Sequence, residues 1–254
     1  MQVSLITCTN NSEKTIKDCC LSIFSQTFNN IEHVIVDNHS FDNTLYVAKN
    51  SKIKLQRIIS QKSRGIYGAL NEGIKHARGD IIGTLHSDDQ LIDKNVINKI
   101  TKIFQKEKID ILFANLLYVS KIDNKKIIRK WKSNLNQGIQ SNDKLNKKID
   151  NGWMFPHTTL FIKKNLLNEI GKYNENFKIS SDYEFIIRLI RKKNFKIFFL
   201  NDYIVKMRIG GMSNKNLKNI LIKMIEDYKI MEKFQINPLK GIIIKNLSKL
   251  KQLF

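Results

Sequence analysis

The chain contains the stretch Ile81-Ile82-Gly83-Thr84-Leu85-His86-Ser87-Asp88-Asp89, an apolar run that ends on two adjacent carboxylates. The run predicts a buried strand, and residues 63–74 before it predict a loop that opens into a helix. Carboxylates just past a parallel strand lie at the carboxyl edge of the sheet, where open α/β sheets bind ligands. Two such carboxylates repel each other unless a cation is present, and Mg²⁺ is often held by one or two carboxylates together with substrate phosphates. The stretch therefore indicates a metal-assisted enzyme that acts on a phosphorylated donor.

The residues around this stretch alternate between strand and helix patterns. Strands are predicted at 3–7, 33–36, 55–59, 81–85 and 110–117, and helices at 12–24, 44–49, 66–77 and 96–104. This alternation predicts an α/β fold in which a mostly parallel sheet is flanked by helices on both faces. Ser12 is the predicted cap of the first helix, whose apolar face comprises Ile16, Cys19, Cys20, Ile23 and Phe24.

The pattern changes after residue 131. Residues 132–152 are polar and aperiodic, so a loop is predicted there. The later predicted elements are a strand at 158–162, a helix at 181–192, short strands near 196–200 and 204–208, a long helix near 214–234 and an amphipathic tail helix at 239–254.

Composition narrows the classes of function. The 254 residues carry 44 Lys and Arg against 23 Asp and Glu, which indicates an anionic partner such as nucleic acid, a membrane surface or a phosphorylated substrate. Lys outnumbers Arg, as an AT-rich genome would produce, whereas sequence-specific nucleic-acid readers favour Arg. The charge alone therefore does not identify the partner.

Cysteine use and the apolar runs indicate the compartment. The three cysteines, Cys8, Cys19 and Cys20, form neither a disulfide framework nor a metal-ligand spacing, which favours a reduced, cytoplasmic setting. The first residues enter a strand without the leader of a secretory signal. No apolar run approaches the ~18 residues of a membrane-spanning helix. A soluble or peripheral protein is expected.

Polar side chains end three of the predicted strands. Thr7 and Thr9 end the first, Asp37 the second and Asp88-Asp89 the fourth, so these side chains are expected to converge at one edge. Asp37 can accept from a uracil N3–H or a ribose hydroxyl, and a ligand contact is predicted because nothing nearby in sequence requires its charge. Asp42 is instead predicted to cap the next helix.

An ordered set of motifs carries a family resemblance. The set comprises Val-Ser-Leu-Ile-Thr-Cys-Thr-Asn at 3–10, residues 35–37 with 40–44, 65–73, 77–89, Pro156-His157, 171–173, 181–184 and 210–213. Each motif is weak alone, but their order and spacing are specific. Together they resemble the family 2 glycosyltransferases of bacterial polysaccharide assembly, which have the GT-A fold. The resemblance is strong over about residues 2–118.

The resemblance implies an inverting transferase that uses a nucleotide-diphosphate sugar, such as a UDP-hexose or UDP-N-acetylhexosamine. The implied acceptor is a lipid-linked glycan in the synthesis of O-antigen, capsule or exopolysaccharide. By the same resemblance Asp37 contacts the base, flanked by Thr7 and Thr9, Asp88 lies near the ribose, and Asp89 ligates Mn²⁺ or Mg²⁺.

The chain departs from the family pattern at His86, where many relatives carry Asp and so have Asp-x-Asp. The change removes one outer carboxylate and leaves the implied metal ligand Asp89. We interpret His86 as a structural residue or a support for the site rather than as a ligand.

The implied catalytic base lies in the second half of the chain. A single displacement needs a base that takes the proton of the acceptor hydroxyl, while the metal neutralises the departing diphosphate. By resemblance this base is Asp182, with Glu184 as the second choice. Asp182 is equally interpretable as a carboxylate favoured by the helix N-terminus, and both roles can hold together.

Two further residues are assigned to the donor. His157 is expected to touch the diphosphate or the acceptor, although a hydrogen-bonded structural histidine fits equally well. Arg64 is assigned to the donor from its place at the mouth of a Gly-containing loop, where a solvated arginine fits nearly as well. Trp153 and Tyr67 are predicted to pack in the core rather than stack on a sugar.

The predicted organisation is a GT-A domain over 1–235, followed by a basic amphipathic helix over 236–254. Within the domain, about 1–118 is the nucleotide-sugar half and 153–213 the acceptor half. The apolar side chains of the tail share one face, and its lysines lie away from that face: Leu239, Ile243, Leu247, Leu250 and Phe254 form the apolar stripe. This composition is typical of a helix on an anionic membrane, here the inner face of the cell membrane, and packing on the domain is the alternative.

Two other classes of protein are weighed against this hypothesis. A nucleotidyltransferase needs a Gly-rich, basic phosphate loop after the first strand, and Thr9-Asn10-Asn11 is not one. A nucleic-acid-binding domain needs a helix-turn-helix or an aromatic-basic sheet, and neither is evident. No nucleic-acid partner is therefore expected. The donor sugar, the acceptor and the linkage are not determined by the sequence.

Overall fold

The computed structural model describes residues 1–51, 55–60, 65–192, 195–211 and 216–250. Ten strands are found in these residues: β1 (Val3–Thr9), β2 (Ile31–Asp37), β3 (Leu55–Ser60), β4 (Ile81–Thr84), β5 (Asp89–Leu91), β6 (Ile111–Val119), β7 (Ile127–Trp131), β8 (Gly138–Gln140), β9 (Phe161–Lys163) and β10 (Ile197–Arg208). The α-helices of the same ranges are α1 (Ile16–Phe24), α2 (Thr44–Lys49), α3 (Gly65–His76), α4 (Val96–Glu107), α5 (Asn142–Ile149), α6 (Leu166–Ile170), α7 (Ser181–Arg191), α8 (Leu217–Lys233) and α9 (Pro238–Leu250).

The strands form one mixed sheet in the order β3-β2-β1-β4-β9-β6-β10-β5, with β7 beside β6 and β8 beside β10. The first four strands are parallel to one another, and β10 is parallel to β6. The short strands β5, β7, β8 and β9 pair antiparallel with their neighbours. This arrangement confirms the predicted α/β class, a mixed sheet flanked by helices. It also places the ends of β1, β2 and β4 at one edge.

Every residue of β1, β2 and β4 is buried, so both faces of these strands lie inside the fold. Along β1, Ile6 packs towards the core that contains α3 and α7, whereas Val3 and Leu5 pack towards the core that contains α1 and α4. Gly73 of α3 is needed for this packing. A Cβ added there would lie 2.4 Å from Cγ2 of Ile6, so the helix can approach the sheet closely only with glycine.

The second half of the chain differs from its prediction. Residues 132–152 are not a loop, because they contain β8, which pairs with β10, and the helix α5. The polar composition hides the helix, since only Leu145 and Ile149, four residues apart, are buried in it. The two short strands predicted near 196–208 form one strand, β10, with register shifts between Leu200 and Val205.

Helix ends were the other source of error. Ser12 is not the side-chain cap of α1, because the N-cap is Thr15 and the Ser12 hydroxyl donates to Asn10 O. Phe24 is 52% exposed rather than part of the buried face. Asp42 is not the cap of α2 either, because the N-cap is Asn43; its carboxylate accepts from Thr44 N at 3.0 Å in the turn before the helix. The division of the chain at residue 235 stays a prediction.

Candidate functional site

The first strand ends beneath the predicted nucleotide site. Thr7 is fully buried, and its hydroxyl donates to Leu85 O at 2.7 Å and lies 2.9 Å from Nε2 of His33. Thr7 therefore supports the site from within the core. Thr9 is nearer the edge and is 4% exposed, and its buried hydroxyl has no partner among the described residues. That hydroxyl is free to bond a ligand that enters beside it.

Asp37 ends β2 in a network of local hydrogen bonds. Its carboxylate accepts from Ser40 N at 3.0 Å, from Ser40 Oγ at 2.5 Å and from Ser60 Oγ at 3.3 Å. The expectation that nothing local uses its charge was therefore wrong, because the turn after β2 uses it. A carboxylate oxygen has more than one acceptor site, so the assigned contact with the base stays a prediction beside this structural role.

Asp88 directly precedes β5 and Asp89 is its first residue, past the carboxyl end of β4. Asp89 is fully buried, and neither of its carboxylate oxygens has a hydrogen-bond partner in the described part of the chain. Burial, followed by the charge of Asp88, raises the pKa of Asp89 well above its usual range. Burial also raises the pKa of Asp88. A buried carboxylate without partners is unfavourable unless it is protonated or meets a cation.

The nearby arginine does not pair with Asp89. Arg208 donates through Nη1 to Asp88 O at 2.9 Å and through Nη2 to Asp18 Oδ2 at 2.5 Å. The pair Asp88-Asp89 thus fits a divalent cation, for which carboxylate oxygens are suitable ligands. Among the residues that the structure describes, no group of three or more His, Cys, Asp or Glu side chains could hold a metal by itself. Donor phosphates and water would have to complete the coordination.

The side chain of His86 contacts the predicted acceptor half through His157. Its Nε2 lies 3.0 Å from Nε2 of His157, and Nδ1 of His157 lies 3.2 Å from Asp182 Oδ2. Burial, with a further contribution from His157, lowers the pKa of His86 to about 3. Burial also lowers the pKa of His157, against the opposing effect of Asp182. No local pattern indicates that these three side chains, far apart along the chain, meet.

Asp182 lies in the first turn of α7 and is held on both carboxylate oxygens. Its Oδ1 accepts from Tyr183 N at 2.9 Å and lies 3.2 Å from the Tyr67 hydroxyl. Its side chain is 19% exposed, so the carboxylate can still meet an acceptor. A carboxylate that is oriented yet reachable is what a general base requires.

Glu184 is placed differently from Asp182. It is 1% exposed, and its two oxygens accept from Arg188 Nε at 2.8 Å and from Lys233 Nζ at 2.9 Å. Both oxygens are thus paired with cations inside the fold. Of the two candidate bases, the geometry favours Asp182.

Sequence reasoning missed Glu226 of α8. Its carboxylate accepts three backbone N–H bonds, from Lys178 at 2.7 Å and from Ile179 and Ser180 at 2.9 Å each. These residues form the turn directly before α7, so Glu226 fixes the entry to the segment that carries Asp182. No local pattern could have revealed it, because its partners lie 46 to 48 positions earlier in the chain.

Other predicted residues have simpler outcomes. Arg64 lies outside the described residues, as do Met212 and Ser213 of the last motif. Trp153 packs edge-on against Phe113 in the core, as predicted for it.

The tail helix α9 packs on the domain through one face and exposes another. A Cβ added at Gly241 would lie 2.7 Å from Sδ of Met231, and Lys245 is buried with its Nζ 2.9 Å from Asp227 Oδ2. The exposed apolar side chains of this helix are Leu239, Ile243 and Leu247, at 72%, 59% and 53%. Residues 251–254 lie outside the described part, so the assigned place of Phe254 on this stripe stays a prediction. Within the described ranges, none of the helices is long and apolar enough to cross a membrane.

Comparison with known sequences gives a family match. Residues 4–171 match the family described as Glycosyl transferase family 2. Among curated relatives, the chain is similar to the UDP-Glc:alpha-D-GlcNAc-diphosphoundecaprenol beta-1,3-glucosyltransferase WfgD of Escherichia coli. The identity is 27% over 241 residues, which cover 94% of this chain and 89% of WfgD.

Comparison with solved structures gives the same fold. TarS 1–349 of S. aureus in complex with UDP-GlcNAc superposes with a TM-score of 0.71 at 21% identity, over 91% of this chain and 67% of that chain. This chain spans 39% of a longer TarS chain. The mannosyltransferase PcManGT of Pyrobaculum calidifontis, in complex with GDP-Man and Mn²⁺, superposes with a TM-score of 0.65 at 15% identity. The match covers 96% of this chain and 68% of PcManGT. These likenesses confirm the expected GT-A fold.

Proposed function

Because this chain belongs to glycosyltransferase family 2, we propose that it transfers a hexose or N-acetylhexosamine from a UDP-sugar to a lipid-linked glycan. The product would be an intermediate of a surface polysaccharide such as O-antigen, capsule or exopolysaccharide. The names of two similar proteins support this choice. WfgD is named for a UDP-glucose donor and a diphosphoundecaprenol-linked acceptor, and TarS was solved with UDP-GlcNAc.

One observation carries the proposal. The contacts of His86 with His157 and of His157 with Asp182 bring the candidate base next to the segment that carries the carboxylate pair. Asp89 is only three residues from His86, and the contact between the two imidazoles spans 3.0 Å. A sugar transfer needs a cation at the leaving diphosphate and a base at the attacking hydroxyl, and this edge offers both.

The chain's own residues have separate tasks in the proposed reaction. Asp37 and Thr9 would contact the base, Asp88 would lie near the ribose, and Asp89 would hold Mn²⁺ or Mg²⁺. When bound, the metal would neutralise charge on the diphosphate as it leaves. Asp182 would take the proton from the acceptor hydroxyl while that oxygen attacks the anomeric carbon and the bond to the diphosphate breaks. A single displacement of this kind inverts the anomeric centre.

A donor screen tests the proposal. Purified protein with Mn²⁺ would be given UDP-glucose, UDP-galactose, their N-acetylamino forms or GDP-mannose, each with a polyprenyl-diphosphate-linked GlcNAc acceptor. We expect release of UDP and a product one sugar heavier by mass spectrometry. Release of sugar 1-phosphate, with transfer of UMP or GMP to the acceptor, would instead indicate a nucleotidyltransferase. Salt-sensitive DNA binding without turnover on any donor would favour the nucleic-acid-binding alternative.

We also propose that α8 and α9 bring the enzyme to an anionic membrane, where a lipid-linked acceptor resides. We call their exposed apolar side chains the docking face, and they are Leu217, Leu221, Met224, Ile225, Leu239, Ile243 and Leu247. Lysines lie on the same two helices. Apolar side chains beside lysines are typical of helices that lie in the membrane interface. Packing of α9 through Gly241 and Lys245 leaves Leu239, Ile243 and Leu247 outward, so packing on the domain is compatible with the proposed membrane contact.

The docking face can be tested by substitution. Leu239→Ser, Ile243→Ser and Leu247→Ser together should weaken binding to phosphatidylglycerol vesicles by at least ~10-fold, because each such side chain contributes roughly 1.5–3 kcal/mol when fully buried. Wild-type binding should weaken in salt but persist in part. Cosedimentation would measure both effects.

The matched control for this test is Ile122→Ser. Ile122 is 97% exposed but lies between β6 and β7, so its replacement should leave vesicle binding unchanged. The triple variant should melt near the wild-type temperature, because its side chains are already exposed. Undiminished vesicle binding by the triple variant would remove α9 from the docking face.

A further inference from the structure

A chain of contacts joins His86, His157 and Asp182, and the proposed reaction gives no role to His86. Nε2 of His86 lies 3.0 Å from Nε2 of His157, and Nδ1 of His157 lies 3.2 Å from Asp182 Oδ2. The two rings are tilted by 52°, with centroids 5.3 Å apart, so they meet at their nitrogens rather than by stacking. Each contact is within reach of a hydrogen bond, and each needs one proton.

The positions of the protons follow from the chemistry of the groups. An ionised carboxylate can only accept, so Nδ1 of His157 must carry the proton that faces Asp182. A neutral imidazole then has a bare Nε2, and the contact with His86 requires that Nε2 of His86 donates. Nδ1 of His86 is left bare, and it is buried without a partner in the described ranges.

We propose that His86 is a positioning residue that selects the tautomer of His157 and, through it, the orientation of the base Asp182. By donating to Nε2 of His157, His86 keeps the other proton of that ring on Nδ1, where it holds Oδ2 of the carboxylate. Without this donor, a neutral His157 could carry its proton on Nε2 and present a bare nitrogen to Asp182. The two acceptors would then repel, and the carboxylate would turn.

The proposal rests on the proposed function, because it needs Asp182 to be the base. It concerns the rate of the chemical step and not the binding of the donor. A misplacement of about 1 Å in a catalytic group can cost ~10²-fold in rate. Loss of the His86 proton should therefore lower kcat and leave the KM for the donor and the Mn²⁺ concentration for half-activation unchanged.

Two variants separate the proton of His86 from its bulk. His86→Leu has a side chain of similar size to histidine but no hydrogen-bond donor. His86→Gln places an amide N–H close to the position of Nε2. We expect His86→Leu to lower kcat by ~10- to 100-fold and His86→Gln to restore most of that loss, with melting temperatures close to wild type for both. Equal kcat in His86→Leu and wild type would overturn the proposal, and so would equal losses in the two variants.

The tautomers can be read without activity. In protein labelled with ¹⁵N-histidine, long-range ¹H–¹⁵N correlation should show Nδ1–H for His157 and Nε2–H for His86, with resonances assigned by the His157→Gln and His86→Gln variants. His86→Leu should move His157 towards the Nε2–H form. A wild-type His157 found with its proton on Nε2 would overturn the proposal.

Failure of the proposed function has a different signature. If Asp182→Asn kept its turnover, Asp182 would not be the base, whatever tautomer the spectra showed. If Asp182→Asn were inactive while His86→Leu was fully active, the base would stand and the role of His86 would fall. A loss of Mn²⁺ affinity in His86→Leu would assign His86 to the metal side and equally overturn the proposal.

Discussion

Asp182→Asn is expected to lower kcat by ~10²–10⁴-fold, the usual effect of removing a general base, while nucleotide affinity stays at the wild-type level. The amide oxygen of asparagine can still accept the bond from His157, whose Nδ1 lies 3.2 Å from the native carboxylate. The variant thus keeps the geometry and loses the basicity. Turnover at saturating donor and acceptor would be measured beside UDP affinity by calorimetry.

The matched comparison for Asp182 is Glu184→Gln, two residues further along α7. Glu184 pairs with Arg188 and Lys233 inside the fold, so its neutralisation should lower the melting temperature and leave kcat within a few-fold. If Glu184→Gln instead lost turnover at an unchanged melting temperature, the base would be Glu184. If nucleotide affinity fell in step with turnover in Asp182→Asn, Asp182 would be a donor-binding or folding residue.

Asp89→Asn is expected to lower the rate of metal-dependent transfer by at least ~10²-fold, because the metal supplies several kcal/mol of charge stabilisation. The fold should be unharmed. Asp89 is buried without partners and its pKa is raised by burial and by Asp88, so an ionised carboxylate there opposes folding in the absence of metal. The uncharged variant should melt at or above the wild-type temperature without metal.

Addition of Mn²⁺ should distinguish the melting of the wild type from that of Asp89→Asn. At Mn²⁺ about 100-fold above its Kd, the wild type should gain about 2.7 kcal/mol and melt several degrees higher, whereas Asp89→Asn should not respond. The control is Asp93→Asn, four residues along. Asp93 accepts a bond from Asn95 N at an exposed site, which asparagine can also accept, so its Mn²⁺ response should be unchanged. Near-wild-type turnover of Asp89→Asn in Mn²⁺ would refute the metal assignment.

The parallel half of the fold could be predicted because its signals are local. Each of the strands β1 to β4 contains at least two consecutive apolar residues, and each strand is followed by a helical pattern or a ligand-type polar end. The helix α2 was predicted at its exact bounds, Thr44–Lys49. The strands β5, β7 and β8 were missed because they are only three to five residues long. So short a strand gains its stability from the neighbours that it pairs with, and a single sequence does not show those neighbours.

The candidate site also has a part that could be predicted from the sequence and a part that could not. The convergence of Thr9, Asp37 and Asp89 at one edge follows from strand order, which the alternating pattern implies. The meeting of His86 with His157 does not follow from it, because 71 positions separate them and the acceptor half must fold back to join them. Even the local role of Asp37 was missed, since Ser40 serves equally well as a turn residue or as a helix cap in the sequence.

Helix α8 carries two adjacent carboxylates, Glu226 and Asp227, that affect the order in which the two halves of the chain become structured during synthesis. Glu226 holds the turn before Asp182, and Asp227 holds Lys245, whose Nζ lies 3.6 Å above the ring of Tyr183. N-terminal units generally fold first during synthesis, so the growing chain should be able to bind nucleotide before its catalytic loop is anchored. A chain that stopped before Glu226 would lack the carboxylate that holds the turn before Asp182.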